Sequence, residues 1–171
     1  SVTHSFPTRR SSDLDHFHVV KLMNEHLDDI RRKVYTMEKD INKRKVLKGT
    51  RYLLLGNGAD IFDKQYKNRL DNALAMNEPL SKAYYLKEQM REIWTQINKE
   101  QASAVLNDWV RQARESKIPQ LEKMANTLML YRSGILAWYD CHISTGKVEG
   151  INNKIKVMKR NAYGFRDERY F

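Results

Sequence analysis

Gly146-Lys147-Val148-Glu149-Gly150-Ile151-Asn152-Asn153-Lys154-Ile155-Lys156-Val157-Met158-Lys159-Arg160-Asn161-Ala162-Tyr163-Gly164-Phe165-Arg166-Asp167 is the stretch whose reading decides the fold. As a helix it repeats Val148, Ile151, Ile155, Met158 and Ala162 at alternating three- and four-residue steps, which sets one apolar stripe against a core. Glu149 and Asn153 lie one turn apart, and Lys156, Lys159 and Arg160 continue down roughly the same side. A carboxylate at the helix start therefore leads into a row of cations. No other acid appears after Glu149 until Asp167. By periodicity alone such a carboxylate is either a partner for the helix dipole or a reactive group.

The words around it add more. Gly146 to Lys156, together with Lys159 to Asp167, resembles the C-terminal catalytic block of DDE-type insertion-sequence transposases of the ISL-three group, through about twenty near-consecutive positions. The resemblance implies that Glu149 is the glutamate of an Asp-Asp-Glu triad and a ligand of magnesium, two ions in the full-length protein. It implies DNA as partner, both transposon ends and target DNA. It also implies a mainly α chain, made of a helical insertion at about residues 40–140 and the glutamate helix of an incomplete ribonuclease-H-like core. Both triad aspartates would lie upstream of Asp15, so the chain is expected to be catalytically dead.

The bulk properties agree with a nucleic-acid partner. With 171 residues the chain supports one domain with a sizeable core. Its 31 Lys and Arg against 21 Asp and Glu give a net charge of +10, which suits a polyanion and favours nucleic acid over a membrane. No apolar run approaches the roughly 20 residues that span a bilayer. Cys141 is the single cysteine, which excludes an internal disulfide and fits a reducing cytoplasm. For a transposase this means the bacterial cytoplasm, with nucleoid association during activity.

Residues 1–14 share no pattern with the rest of the chain. His4 to Leu14 resembles a translated sequencing adapter, and the other reading is a disordered basic tail; in neither case does it carry fold. Residues 15–171 then form the C-terminal part of a transposase catalytic domain. Asp15-His16-Phe17-His18 also resembles the family pattern, an Asp-x-x-His that opens a long helix and supports the active site. From the residues alone, Asp15 is an N-cap and His18 a packed or hydrogen-bonded histidine.

Downstream, Met23, Leu27, Ile30, Val34, Met37 and Ile41 predict one helix to about residue 44. The basic run Lys43-Arg44-Lys45 with Lys48 suits a helix C-terminus and reads as a solvated charge run that can also touch phosphate. A short element ends in a turn at Gly56-Asn57-Gly58, which lacks the Gly-Lys-Ser/Thr ending of a phosphate loop. Asp63 caps a helix to about Ala75 with Phe62, Tyr66, Leu70 and Leu74 inward. Asn77-Glu78-Pro79 breaks it, and a longer helix continues through Leu80, Ala83, Tyr84, Met90, Ile93, Trp94 and Ile97.

Further helices are expected over roughly 100–115 and from Pro119 to about Tyr139, the second with Leu121, Met124, Leu128, Tyr131, Ile135 and Trp138 on its buried stripe. Trp94, Trp109 and Trp138 all fall on apolar stripes, so they read as core rather than as base-stacking platforms. The loop Asp140 to Gly146 delivers Glu149, with Ser144 or Thr145 available as a cap. Beyond it Lys147, Lys154, Lys156, Lys159, Arg160 and Arg166 form the candidate DNA-binding face, with Asn153 as a support beside the glutamate. A second reading of the same residues is a noncatalytic basic helical protein that binds nucleic acid or serves as a scaffold. Stripes left facing an absent sheet would expose apolar surface and drive self-association, either a homodimer or an aggregate.

Overall fold

The computed structural model describes residues 15–140, and every regular element among them is helical. Contacts separate a unit ending at Trp138 from another that begins at Tyr139, and the eight α-helices among the described residues belong to the first.

Most helices start where a short polar side chain can accept a free amide of the first turn. Asp15 does so for α1 (His16–Met37), accepting from the amide of His18 at 2.9 Å. Asp40 caps α2 (Ile41–Leu47) and Asp63 caps α4 (Lys64–Ala75), each taking two amides. Between them α3 (Arg51–Leu55) comes directly after the buried Thr50, whose hydroxyl donates to the Leu47 carbonyl at 2.7 Å. Asn77 caps α5 (Glu78–Met90), and Asn98 caps α6 (Lys99–Glu115). Proline opens α7 (Pro119–Leu130), and α8 (Arg132–Ala137) begins one residue later.

Four helices make the body. α1 packs on α5 and α7, and α6 packs on α5 and α7. Val19, Met23, Leu27 and Ile30 of α1 meet Leu80, Ala83 and Met90 of α5, Leu106, Trp109 and Val110 of α6, and Leu121, Met124 and Leu128 of α7 in one buried set. Two polar ties fix the arrangement. The indole of Trp109 donates to the Leu86 carbonyl at 2.7 Å, and Gln120 donates to Asp29 at 2.7 Å, the contact that chiefly lowers the Asp29 carboxyl below its usual range.

The short helices α2, α3 and α4 form a lobe beside this body. α4 packs on α2, α3 and α5, and α3 rests on α1. The turn between α2 and α3 passes through Gly49 at φ +77°, a conformation that favours glycine, and there the Arg69 guanidinium donates to the Lys48 carbonyl. A β-carbon on Gly49 would meet that guanidinium at 2.9 Å. On the other side the buried Lys87 of α5 donates to the Gly56 carbonyl, pairs with Glu88 and lies 4.5 Å from the centre of the Tyr84 ring. Glu88 in turn accepts from the Gly58 amide at 3.2 Å. Burial lowers the Lys87 ammonium, with Glu88 pulling the other way.

The structure corrects several expectations. The helix expected to reach residue 44 stops at Met37, because Asp40 takes the amides of Asn42 and Lys43 and starts a new helix. Met37 and Ile41 are consequently exposed. Phe62 and Tyr66, expected inward, also face solvent, since the core covers α4 only from Leu70 onward. The helix after Asn77 tightens to a 3₁₀ turn over Arg91–Trp94 and leaves Ile97 outside. The one from Pro119 breaks at Tyr131, so Ile135 is buried while Trp138 is half exposed. Trp94 and Trp109 are core as expected.

Candidate functional site

The first predicted site residues sit at the start of α1. Asp15 Oδ1 accepts from the His18 amide and lies 2.8 Å from His18 Nδ1, so one carboxylate oxygen serves both the backbone cap and the imidazole. The amide contact is the larger cause and the imidazole the second of an Asp15 carboxyl held below its usual range. Both side chains are exposed. His16 beside them packs against Trp94, ring centres 4.4 Å apart and planes tilted by 39°, and burial together with the Arg91 charge lowers its pKa, burial being the larger cause. The capping expectation for Asp15 is met, and His18 is its hydrogen-bonded partner.

Glu149 and Asn153 lie outside the described residues, as do Lys147, Lys154, Lys156, Lys159, Arg160 and Arg166. Magnesium takes hard oxygen donors, and the carboxylate of Glu149 is one. One carboxylate does not complete a two-ion site, and among the described residues no three His, Cys, Asp or Glu side chains gather to hold a metal.

A groove of about 550 Å³ runs between α1 and α3, lined by Phe17, Val20, Asn24, Asp28, Arg51 and Leu55 among others. Asp28 organises its charged wall: Arg31 donates to it at 2.8 Å, and Arg51 of α3 approaches at 3.5 Å. Asn24 contributes a buried amide oxygen that no described donor reaches. Sequence reasoning did not find this groove, because it pairs helices 27 positions apart, Asn24 with Arg51, and no local pattern encodes that.

A simpler signal is the distribution of charge along the chain. The excess positive charge is concentrated in two stretches. Residues 41–69 hold eight Lys and Arg against two acids, and 141–171 hold seven against three, while 15–40 hold five against six and 70–140 nine against nine. In the body the charges answer one another: Arg111 bonds Asp108 and Glu115, Lys82 pairs with Glu78 at 2.6 Å, and Lys33 with Asp29 at 3.2 Å.

Relatives in sequence decide the family. The profile described as a transposase, of the ISL-three DDE type, matches residues 1–171. The chain belongs to the ISL-three-type DDE transposases. It is 40% identical over 159 residues to the transposase for insertion sequence element IS1001 of Bordetella parapertussis, a match covering 92% of this chain and 39% of that relative. To the transposase for insertion sequence element IS1557 of Mycobacterium tuberculosis it is 29% identical over an alignment of 175 residues, covering 89% and 39%. This transposase chain thus spans about two fifths of the length of the curated relatives it matches. No solved structure matches it. No helix among the described residues is long and apolar enough to cross a membrane.

Proposed function

We propose that residues 15–171 are the C-terminal part of a transposase catalytic domain that cleaves and transfers insertion-sequence DNA by a two-magnesium DDE mechanism, with residues 1–14 a tail outside the fold. The observation that carries this reading is the family match over residues 1–171 by a chain that spans 39% of its curated relatives' length. Helices α2 to α8 are then the insertion, and the ribonuclease-H-like sheet with both triad aspartates belongs to the full-length protein. There Glu149 supplies one carboxylate to the metal pair, and magnesium bound by three carboxylates would activate the attacking oxygen and stabilise the leaving one. Asp15, His18 and Asn153 are supports. Asp15 and His18 act by fixing the first turn of α1.

Lys147, Lys154, Lys156, Lys159, Arg160 and Arg166 hold DNA by its phosphates, without base readout. The isolated chain is inactive, binds DNA weakly and self-associates, as a homodimer in the simplest case. The full-length transposase acts in the bacterial cytoplasm, at the nucleoid.

The test is magnesium-dependent nicking of the terminal inverted repeats by the full-length transposase. Glu149→Gln is expected to abolish nicking, and a variant as active as wild type would overturn the assignment. Asp15→Asn and Asn153→Ala are expected to lower activity by about 10- to 100-fold, the range for groups that orient a metal ligand. A monodisperse monomer of the isolated chain by light scattering would contradict self-association.

A further inference from the structure

The lobe α2–α4 carries most of the chain's excess charge and leaves it unanswered. Of its eight cations, three are used locally. Arg44 lies 4.7 Å over the Tyr35 ring, Arg51 faces Asp28, and Arg69 bonds the Lys48 carbonyl. Lys43, Lys45, Lys48, Lys64 and Lys67 are exposed and form no ion pair among the described residues. The two acids of the stretch form no ion pair with them among the described residues, Asp63 accepting instead from the amides of Gln65 and Tyr66. Lysine is a compact, flexible point charge, which suits contact with phosphates at no fixed register.

The same lobe exposes aromatic rings among these lysines. Tyr52 is 82% exposed, Phe62 89% and Tyr66 53%. None of the three is required by the core, which is completed by Leu54 in α3 and by Leu70, Ala73 and Leu74 in α4. Tyr52 on α3, Tyr66 on α4 and Phe62 just before α4 therefore expose ring faces in the lobe that also carries the unpaired ammonium groups. Phosphates would answer the lysines, but a duplex keeps its base faces stacked inside, and only an unpaired strand offers them to a ring. Charge complementarity selects a polyanion, and the aromatics select its single-stranded form.

We propose that the lobe formed by α2, α3 and α4 is a binding surface for an unpaired nucleic-acid strand, held by Lys43, Lys45 and Lys48 at its phosphates and by Tyr52 and Phe62 at its bases. The residues of this surface are distinct from Glu149 and from the basic residues beyond 141. Its role in a full-length transposase is to hold a strand released from pairing at a cleaved end.

The test measures anisotropy of labelled oligothymidine of about 20 nucleotides, and of a duplex of the same length, with the whole 171-residue chain. The triple variant Lys43→Glu, Lys45→Glu, Lys48→Glu should weaken strand binding by about 10-fold or more and flatten its salt dependence by about 2 in log–log slope. The pair Tyr52→Ala, Phe62→Ala should weaken strand binding about 30-fold, the ratio that two stacked bases at about 1 kcal/mol each convert to, and leave duplex binding within about 2-fold.

Controls at Lys117 and Lys123 should change neither probe. Glu149→Gln should also leave strand affinity intact, so loss of nicking and loss of strand binding report on different proposals. Circular dichroism checks the fold, and the three lysines changed to Gln read the same slope should the reversal disturb it. Unchanged strand affinity in the lysine variants, or aromatic variants that weaken both probes equally or neither, would overturn the proposal and leave the lobe as a protein-docking face.

Discussion

The four-helix body and the α2–α4 lobe are built from similar residues and put them to opposite uses. In the body, apolar stripes face one another and charges pair along the same helix at three- and four-residue spacing, as Arg111 does with Asp108 and Glu115. In the lobe α2 and α3 have only 7 and 5 residues, too short to cover α4 fully, and rings as well as lysines stay outside. A short helix holds its shape through tertiary contacts rather than by itself. The lobe is accordingly pinned at a few points, Arg69 on the Lys48 carbonyl and Lys87 with Glu88 on the Gly56–Gly58 turn. The body too leaves Phe17, Tyr85 and Leu130 exposed, so what sets the lobe apart is its cluster of unanswered lysines, Lys43, Lys45 and Lys48 with Lys64 and Lys67.

The sharpest way to break this contrast is to truncate an aromatic in each region. Trp109→Ala should cost about 3–5 kcal/mol in urea unfolding, since it opens a cavity and strands the Leu86 carbonyl. Tyr52→Ala should change stability by less than about 0.5 kcal/mol. Comparable losses would mean that the lobe is core after all.

The joint between body and lobe should show in alkaline solution. Burial, with Glu88 close by, pushes the Tyr84 phenol up to about 12. A phenol ionises near 10 in the unfolded chain, so the folded state holds the neutral form more tightly, and its contribution is complete below about pH 10 and lost as pH rises to about 12. Tyr84→Phe should remove a decline on the order of 2 kcal/mol across that window, measured by chemical denaturation at successive pH values. Lys87 works in the opposite direction and at lower pH, because its lowered pKa lets the unfolded chain bind the extra proton and stability rises with pH there. An alkaline profile unchanged in the Tyr84→Phe variant would break the assignment.

Smaller effects sharpen the picture of the pins. Gly49→Ala meets both a left-handed backbone and the Arg69 guanidinium, and should cost about 1–2 kcal/mol, with the lobe opening first by hydrogen exchange. In the body, Lys117 adopts φ 55° between α6 and α7, an unfavourable conformation for a residue with a β-carbon. Lys117→Gly should therefore stabilise by about 0.5–1 kcal/mol in thermal unfolding.

Helix starts were legible from sequence because caps are local. Asp15, Asp63, Asn77 and Pro119 do what their side chains dictate within three residues. Asp40 obeys the same rule and was passed over in favour of an uninterrupted apolar period, which Met37 and Ile41 continue without being covered. Of the site, the role of Glu149 was legible only through resemblance while the basic residues from Lys147 to Arg166 were legible from charge and spacing, all of them outside the described residues, and Asp15 with His18 was legible as a local pair. The burial of Lys87 and the groove at Asn24 left no trace, since each needs a second helix to exist.

By itself the sequence determined the helical class, most helix beginnings, the family and the two stretches that hold the excess charge, all of which depend on residue type and near neighbours. Tertiary structure alone decided which apolar stripes are covered. Leu70 and Leu74 lie under α5 while Phe62 and Tyr66 on the same stripe do not, because burial is set by where a neighbouring helix ends and not by the period of the helix that bears the side chain.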